Sequence, residues 1–243
     1  MRALFVQQDH VSPVGPVGAA FADRGYDVSE LLVVPEEHFH APSVTADFPD
    51  PRDVDVVVAM GAPWSVYDHD RIGSWVFDEM DFLRAAHETG VPVLGICFGA
   101  QALAGALGGE VVPAARPEVG WTLVRTERPD LVEAGPWFQW HGDRWVLPSH
   151  VSAFATTDVA EQAFTLGRSL GVQFHPEITP TMLAGWLANG GDAQARRLGY
   201  DPDELLRVTR RTAPEAEARA RRLVERFLDV VATNDVPAGR RLR

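Results

Sequence analysis

Apolar runs of strand length recur through the first hundred residues, each bounded by polar or turn residues. RALFVQQ (2–8), YDVSELLVV (26–34), VDVVVAMG (54–61) and VPVLGI (91–96) are such runs. A continuous apolar run of this length marks a strand covered on both faces. Helical spacing fills the gaps. GPVGAAFADRG (15–25) predicts a short helix closed by glycine, and FGAQALAGALGG (98–109) a helix with a glycine stop. Ile72, Trp75, Val76, Met80, Leu83 and Ala86 fall near one helical face, which predicts a single helix over 71–89. Strands alternating with helices predict an α/β fold with a largely parallel sheet.

The pattern changes between about 110 and 175. GEVV, GWTLVR, DRWVLP, SAFATT, EQAFTL and SLGVQFH are short strand candidates separated by turn residues instead of helices. They predict an antiparallel extension that returns to the sheet. Helical patterning resumes at TPTMLAGWLAN (179–189). It continues in DPDELLRVTRR (201–211), with Asp201 as N-cap and Pro202 at the first helical position, and in a third helix over 213–233. No repeat or linker interrupts the chain, so a single domain is expected. Residues 1–190 would form its body, and 191–243 a helical extension packed on it.

Composition narrows the function classes. Of 243 residues, 46% are hydrophobic and 23% charged, as in ordinary globular proteins. The one cysteine cannot form an internal disulfide. The N-terminus, MRALFVQQDH, reaches polar residues too early for a signal peptide. No uncharged apolar run approaches the ~20 residues that span a bilayer. A cytoplasmic protein without membrane attachment is expected. Net charge is −12, divided as −15 over residues 1–190 and +3 over 191–243. An acidic body argues against a nucleic-acid surface. The arginine pairs at 196–197, 210–211, 221–222 and 240–241 read as a solvated helix face or, alternatively, as a docking surface for an acidic partner. There is no lysine, which excludes a Walker-type phosphate loop and a lysine Schiff base.

Chemistry concentrates at GICFGAQ (95–101). Cys97 ends a buried strand, and a helix starts directly after it. Gly-x-Cys-x-Gly is the thiol version of a strand–turn–helix elbow, where flanking glycines leave room for an unusual backbone turn. The helix N-terminus favours a thiolate and offers the Phe98 N–H to an oxyanion. The same pattern also fits a small cysteine packed in the core. GVQFHPE (171–177) supplies what a nucleophile needs. His175 ends another buried strand, and Glu177, two residues on, points to the same side in an extended chain and can orient the imidazole.

Together, GICFGAQ and GVQFHPE resemble the two signatures of class I, triad-type glutamine amidotransferases, and AMGAPWSVYD (59–68) resembles their oxyanion loop. The resemblance covers roughly residues 1–190 and implies a flavodoxin-like sheet. It implies Cys97 as nucleophile, His175 as base and then acid, and Glu177 as its orienter. It implies an oxyanion hole from Phe98 and the Gly61–Ala62 loop, and Gln101 as a ligand of the substrate glutamine. No cofactor and no metal are implied. The family usually carries glycine where this chain has Ala62, which keeps its N–H but adopts positive φ only at a cost. QWHGD (139–143) sits where stand-alone members carry a similar loop. His141 and Asp143 would line the glutamine pocket there, or would form a polar turn. PEVGW (117–121) also has a counterpart in that subgroup and receives no role. EEHFH (36–40) and YDHD (67–70) lack a partner cluster at ligand spacing and read as solvated loops.

The overall resemblance is to stand-alone proteins similar to the glutaminase domain of GMP synthase. Three functions follow from it. A glutaminase would pass ammonia to a separate synthetase subunit, since no ATP-pyrophosphatase signature is present in the sequence. A γ-glutamyl peptide or conjugate hydrolase would use the same thioester without an acceptor. A binding or regulatory protein on this fold would need no chemistry.

Overall fold

The computed structural model describes residues 1–233. A nine-stranded sheet runs through it in the order β2-β1-β3-β4-β9-β8-β7-β5-β6. The strands are β1 (Arg2–Gln7), β2 (Asp27–Leu32), β3 (Val56–Ala59), β4 (Val93–Ile96), β5 (Glu110–Thr126), β6 (Gly135–Val146), β7 (Ala153–Thr156), β8 (Glu161–Leu166) and β9 (Ser169–Val172). β2, β1, β3, β4 and β9 pair in parallel; β8, β7, β5 and β6 extend the sheet antiparallel. The order of the first four strands is that of flavodoxin-like folds.

Strand periodicity explains the two cores. Ala3 and Phe5 of β1, Val56 and Val58 of β3, and Leu94 and Ile96 of β4 pack on one face with α1 (Gly15–Asp23) and the C-terminal helix. Leu4, Val6, Val57 and Val93 point the other way, into Trp75, Leu83, Phe98 and Leu103. A period of two puts alternate residues on opposite faces, and both faces are covered. The helices there are α3 (Val76–Glu88) and α4 (Phe98–Ala106).

Three element boundaries differ from the sequence pattern. The helix expected over 71–89 is two: α2 (His69–Ile72) and α3, broken after Gly73. The expected apolar face survives the break because Ile72, Trp75 and Val76 are fully buried across it. GEVV and GWTLVR belong to one long strand, β5, with a register shift between Pro113 and Glu118. The two last predicted helices are one, α7 (Pro202–Arg226), which follows α5 (Pro180–Trp186) and α6 (Asp192–Arg197) and passes through Pro214. Leu205, Thr209, Ala213, Ala216, Ala220 and Leu223 form a continuous buried stripe, while Pro214 and Arg210 face solvent. The carbonyl that Pro214 deprives of a donor is therefore open to water, and packing outweighs the lost hydrogen bond.

The basic C-terminal segment finds its acidic partners within the chain. Arg222 and Arg226 pair with Glu133, Arg221 with Asp23, and Arg219 with Glu215. Arg240 and Arg241 lie outside the described residues. None of the described helices is long and apolar enough to cross a membrane.

β1 and α3 are joined through a buried polar pair. Gln8 Nε2 donates to Glu79 Oε1 at 2.6 Å, and Glu79 is fully buried. Burial pushes the Glu79 carboxyl up to about 8, against the hydrogen bond from Gln8. The folded protein thus keeps a proton that the unfolded chain releases above its ordinary value of 4.5. Stability should therefore fall as the pH rises from about 5 to about 8, by roughly a few kcal/mol in total. Glu79→Gln keeps a neutral partner for Gln8 and should flatten this decline in urea titrations across that range. An equal decline in both proteins would contradict the assignment.

Candidate active site

Parallel strands end at one edge of the sheet, and the segments that leave β1, β3, β4 and β9 there line one cleft of about 450 Å³. This is where open α/β sheets place ligands. Gly61, Cys97, His175, Trp140 and Trp186 are among the residues that line it.

Cys97 connects β4 to α4 at φ 50° and ψ −108°. Among the described residues it is the only non-glycine residue with positive φ. The turn needs glycine on either side. A Cβ on Gly95 would stand 2.7 Å from Ala100 Cα, and one on Gly99 would stand 2.1 Å from the Ala59 carbonyl oxygen. Gly99 thereby lets α4 press against the end of β3, with its N–H donating to Met60 O at 3.0 Å. Cys97 N donates to Val172 O at 2.8 Å, which ties the elbow to β9.

β9 brings His175 to the same place. The His175 N–H donates to Phe138 O of β6, and the ring packs edge-on against Trp186 with centroids 4.9 Å apart. Its Nδ1 lies 2.7 Å from Glu177 Oε1, and both side chains are nearly inaccessible. The other nitrogen is left for Cys97. Burial alone pushes the His175 pKa down. The nearby Cys97 and Glu177, with the hydrogen bond to Glu177, outweigh it, and the net direction is well above the ordinary value. This favours an imidazolium at His175.

The expected oxyanion donors line the cleft. A Cβ on Gly61 would stand 3.0 Å from His175 Cε1 and 3.8 Å from Cys97 Cβ, so this backbone lies directly against both side chains. The N–H groups of Gly61, Ala62 and Phe98 take no acceptor among the described residues. Ala62 does not adopt positive φ.

His141 and Asp143 lie in β6, paired with β5, and not in the loop or turn expected from QWHGD. The flanking tryptophans, buried or half-buried, continue the strand through the glycine. His141 Nδ1 is 2.9 Å from the Asp143 carbonyl, so this nitrogen carries a hydrogen. Its Nε2 lies 3.2 Å from Glu118 Oε2 without a hydrogen bond, and that oxygen accepts from Thr157 Oγ1 and Gln162 Nε2. Glu118, from the segment PEVGW, is thus the buried anchor of a polar cluster behind the cleft. The Asp143 carboxylate accepts from Ser65 Oγ and Tyr67 OH at 2.5 and 2.6 Å, linking β6 to the loop after β3. Gln101 is buried on α4 and reaches Asp143 O and Gln173 Oε1. Asp9, at the end of β1, also lines the cleft. Burial raises its carboxyl to about 6, against hydrogen bonds from Val11 and Ser12. Of EEHFH and YDHD, Phe39 and His40 reach the cleft.

A cysteine at a strand–turn–helix elbow facing a paired histidine, in this topology, is the arrangement expected of the amidotransferases. A model of the class-I glutamine amidotransferases matches residues 32–190, and the chain belongs to that family. Its curated relatives include the glutamine-hydrolysing GMP synthase of Thermomicrobium roseum, 36% identical over 137 residues, which are 52% of this chain and 24% of that protein. The GMP synthase of Neisseria gonorrhoeae is 30% identical over 192 residues, 69% of this chain and 34% of its own. The chain therefore spans about a quarter to a third of these relatives' length. Among solved structures, a glutamine amidotransferase from Thermotoga maritima matches with TM-score 0.80 at 23% identity, over 94% of this chain and 98% of its own. One from Methylobacillus flagellatus gives 0.79 at 20% identity, over 98% of both. At these identities the structures establish the fold.

The elbow's dependence on Gly99 is testable. Gly99→Ala drives a methyl into the Ala59 carbonyl and should cost at least about 2 kcal/mol in urea denaturation. Ala at Gly142, where added bulk meets nothing within 4 Å, serves as control. A loss under half a kcal/mol for Gly99→Ala would contradict the close approach of α4 to β3.

Proposed function

We propose that the chain is a cysteine-dependent glutaminase in which Cys97, His175 and Glu177 act as a triad. The observation that carries this reading is the meeting of a positive-φ cysteine with a buried histidine–carboxylate pair in one cleft. The Cys97 thiolate attacks the side-chain amide carbon of glutamine. Negative charge develops on the amide oxygen, and the N–H groups of Phe98 and the Gly61–Ala62 loop stabilise it. His175, positioned by Glu177, gives its proton to the departing nitrogen, and ammonia leaves. The γ-glutamyl thioester remains on Cys97. His175, now neutral, takes a proton from water as it attacks, and glutamate and the thiolate are released. Gln101, His141 and Asp143 would hold the amino-acid end of the substrate. The names of the curated relatives support glutamine as substrate and a synthetase as the consumer of ammonia.

A second reading draws on the size of the cleft. Its volume is within the ~300–1,000 Å³ of pockets that bury drug-sized ligands. Gln194 and Arg197 line it together with Trp140 and Trp186, which leaves room for a γ-glutamyl compound with a larger amine.

Purified protein should release ammonia and glutamate from glutamine. Cys97→Ala should lower kcat by about 10⁴-fold or more, and Glu177→Gln by about a hundredfold or more through loss of the oriented imidazole. Release of amine from γ-glutamyl peptides but no turnover of glutamine would favour the second reading. Undiminished glutamine turnover by Cys97→Ala would refute both.

A further inference from the structure

Gln173 is fully buried between the end of β9 and His175. Its backbone N–H donates to Gln162 O at 2.9 Å, which continues the sheet for one residue and fixes the direction of its side chain. The amide nitrogen, Nε2, lies 3.6 Å from Cys97 Sγ, within the range of a hydrogen bond to sulfur. Its Oε1 accepts from Gln101 Nε2 at 3.2 Å. Gln101 Nε2 donates in turn to the Asp143 carbonyl at 3.3 Å.

The order of these contacts determines which end of each amide points where. A backbone carbonyl can only accept, so the atom of Gln101 facing Asp143 O must be its NH₂. The second hydrogen of that group meets Gln173, which must answer with its oxygen. The nitrogen of Gln173 is then the end turned to sulfur. Reversing Gln101 would set oxygen against oxygen, and reversing Gln173 would set two donors against each other. His175 faces the same sulfur with Glu177 behind it; the uncharged groups beside it are the Gln173 amide at 3.6 Å, a donor, and the Trp140 carbonyl at 4.0 Å, an acceptor.

We propose that Gln173 is a catalytic residue of this site, its side-chain N–H holding the Cys97 sulfur as an anion, and that Gln101 is the positioning residue that fixes the amide's orientation. The bond acts twice in the proposed glutaminase reaction, on which its functional meaning rests. It favours the thiolate before attack, and it stabilises the sulfur again when the thioester collapses and the carbon–sulfur bond breaks. No proton moves through Gln173. Hydrogen bonds to ionised groups are about twice as strong as neutral ones, and burial excludes competing water.

Because Cys97 is the only cysteine in the chain, alkylation by iodoacetamide reports on this sulfur alone and requires no substrate turnover. The full-length protein would be compared with Gln173→Met, Gln173→Glu and Gln101→Met at pH 6.5 and pH 10, with circular dichroism to verify folding. Both Gln173 variants should react about tenfold more slowly at pH 6.5, Gln101→Met by a smaller factor. At pH 10, where thiols ionise without help, all four rates should converge within about twofold. Wild-type rates at pH 6.5 in a folded Gln173 variant would overturn the proposal. So would an equal slowing at both pH values, which would mark a packing role only. A protein that follows the expected pattern but does not hydrolyse glutamine would retain the thiolate assignment and lose the glutaminase reading.

Discussion

The strained turn at Cys97 is the constraint around which the rest of the site is arranged. A side chain at φ 50° is disfavoured by roughly 1–2 kcal/mol, and surrounding structure must hold it there. β3 and β9 hydrogen-bond to the elbow from either side, and Gly95 and Gly99 let α4 approach the strands closely enough for those bonds to form. The return is geometric. The sulfur stands clear of the strand at the N-terminus of α4, beside the free N–H of Phe98. A relaxed turn would return the side chain to the sheet face, where a cysteine is a small hydrophobe.

Electrostatics complete what the backbone begins. The body of the chain is acidic, yet its cleft favours a cation on His175. A buried imidazolium persists only where anions compensate for lost water. Glu177 does so from 2.7 Å. Glu118, Gln162 and Gln139 form a further polar layer behind β6, with His141 on the cleft side. The arginines of α7 lie elsewhere; Arg221 and Arg222 tie that helix to Asp23 and Glu133 and keep its apolar stripe on the sheet.

Much of this was legible in the sequence, for identifiable reasons. Strands covered on both faces leave an uninterrupted apolar signature, so β1, β3 and β4 were evident. Cys97 and His175 stood out because each ends such a run. Where tertiary packing decides, the local pattern failed. The helix passes through Pro214 because the affected carbonyl faces water, which no local rule reveals. His141 and Asp143 looked like turn residues around Gly142, but long pairing with β5 holds them in a strand. Glu118 and Gln173 carried no signal of their own. A buried polar residue in a strand is conspicuous only when its partners, distant in sequence, are in view.

The central claim is that Cys97 carries a glutamyl group during turnover. Mixing the protein with glutamine, quenching in acid within milliseconds to seconds and mapping the digest by mass spectrometry tests it directly. A glutamyl adduct on the peptide containing Cys97, absent from Cys97→Ala treated in the same way, is the result this account predicts. Steady release of glutamate with Cys97 unmodified at every quench time, or an adduct on another residue, would contradict it.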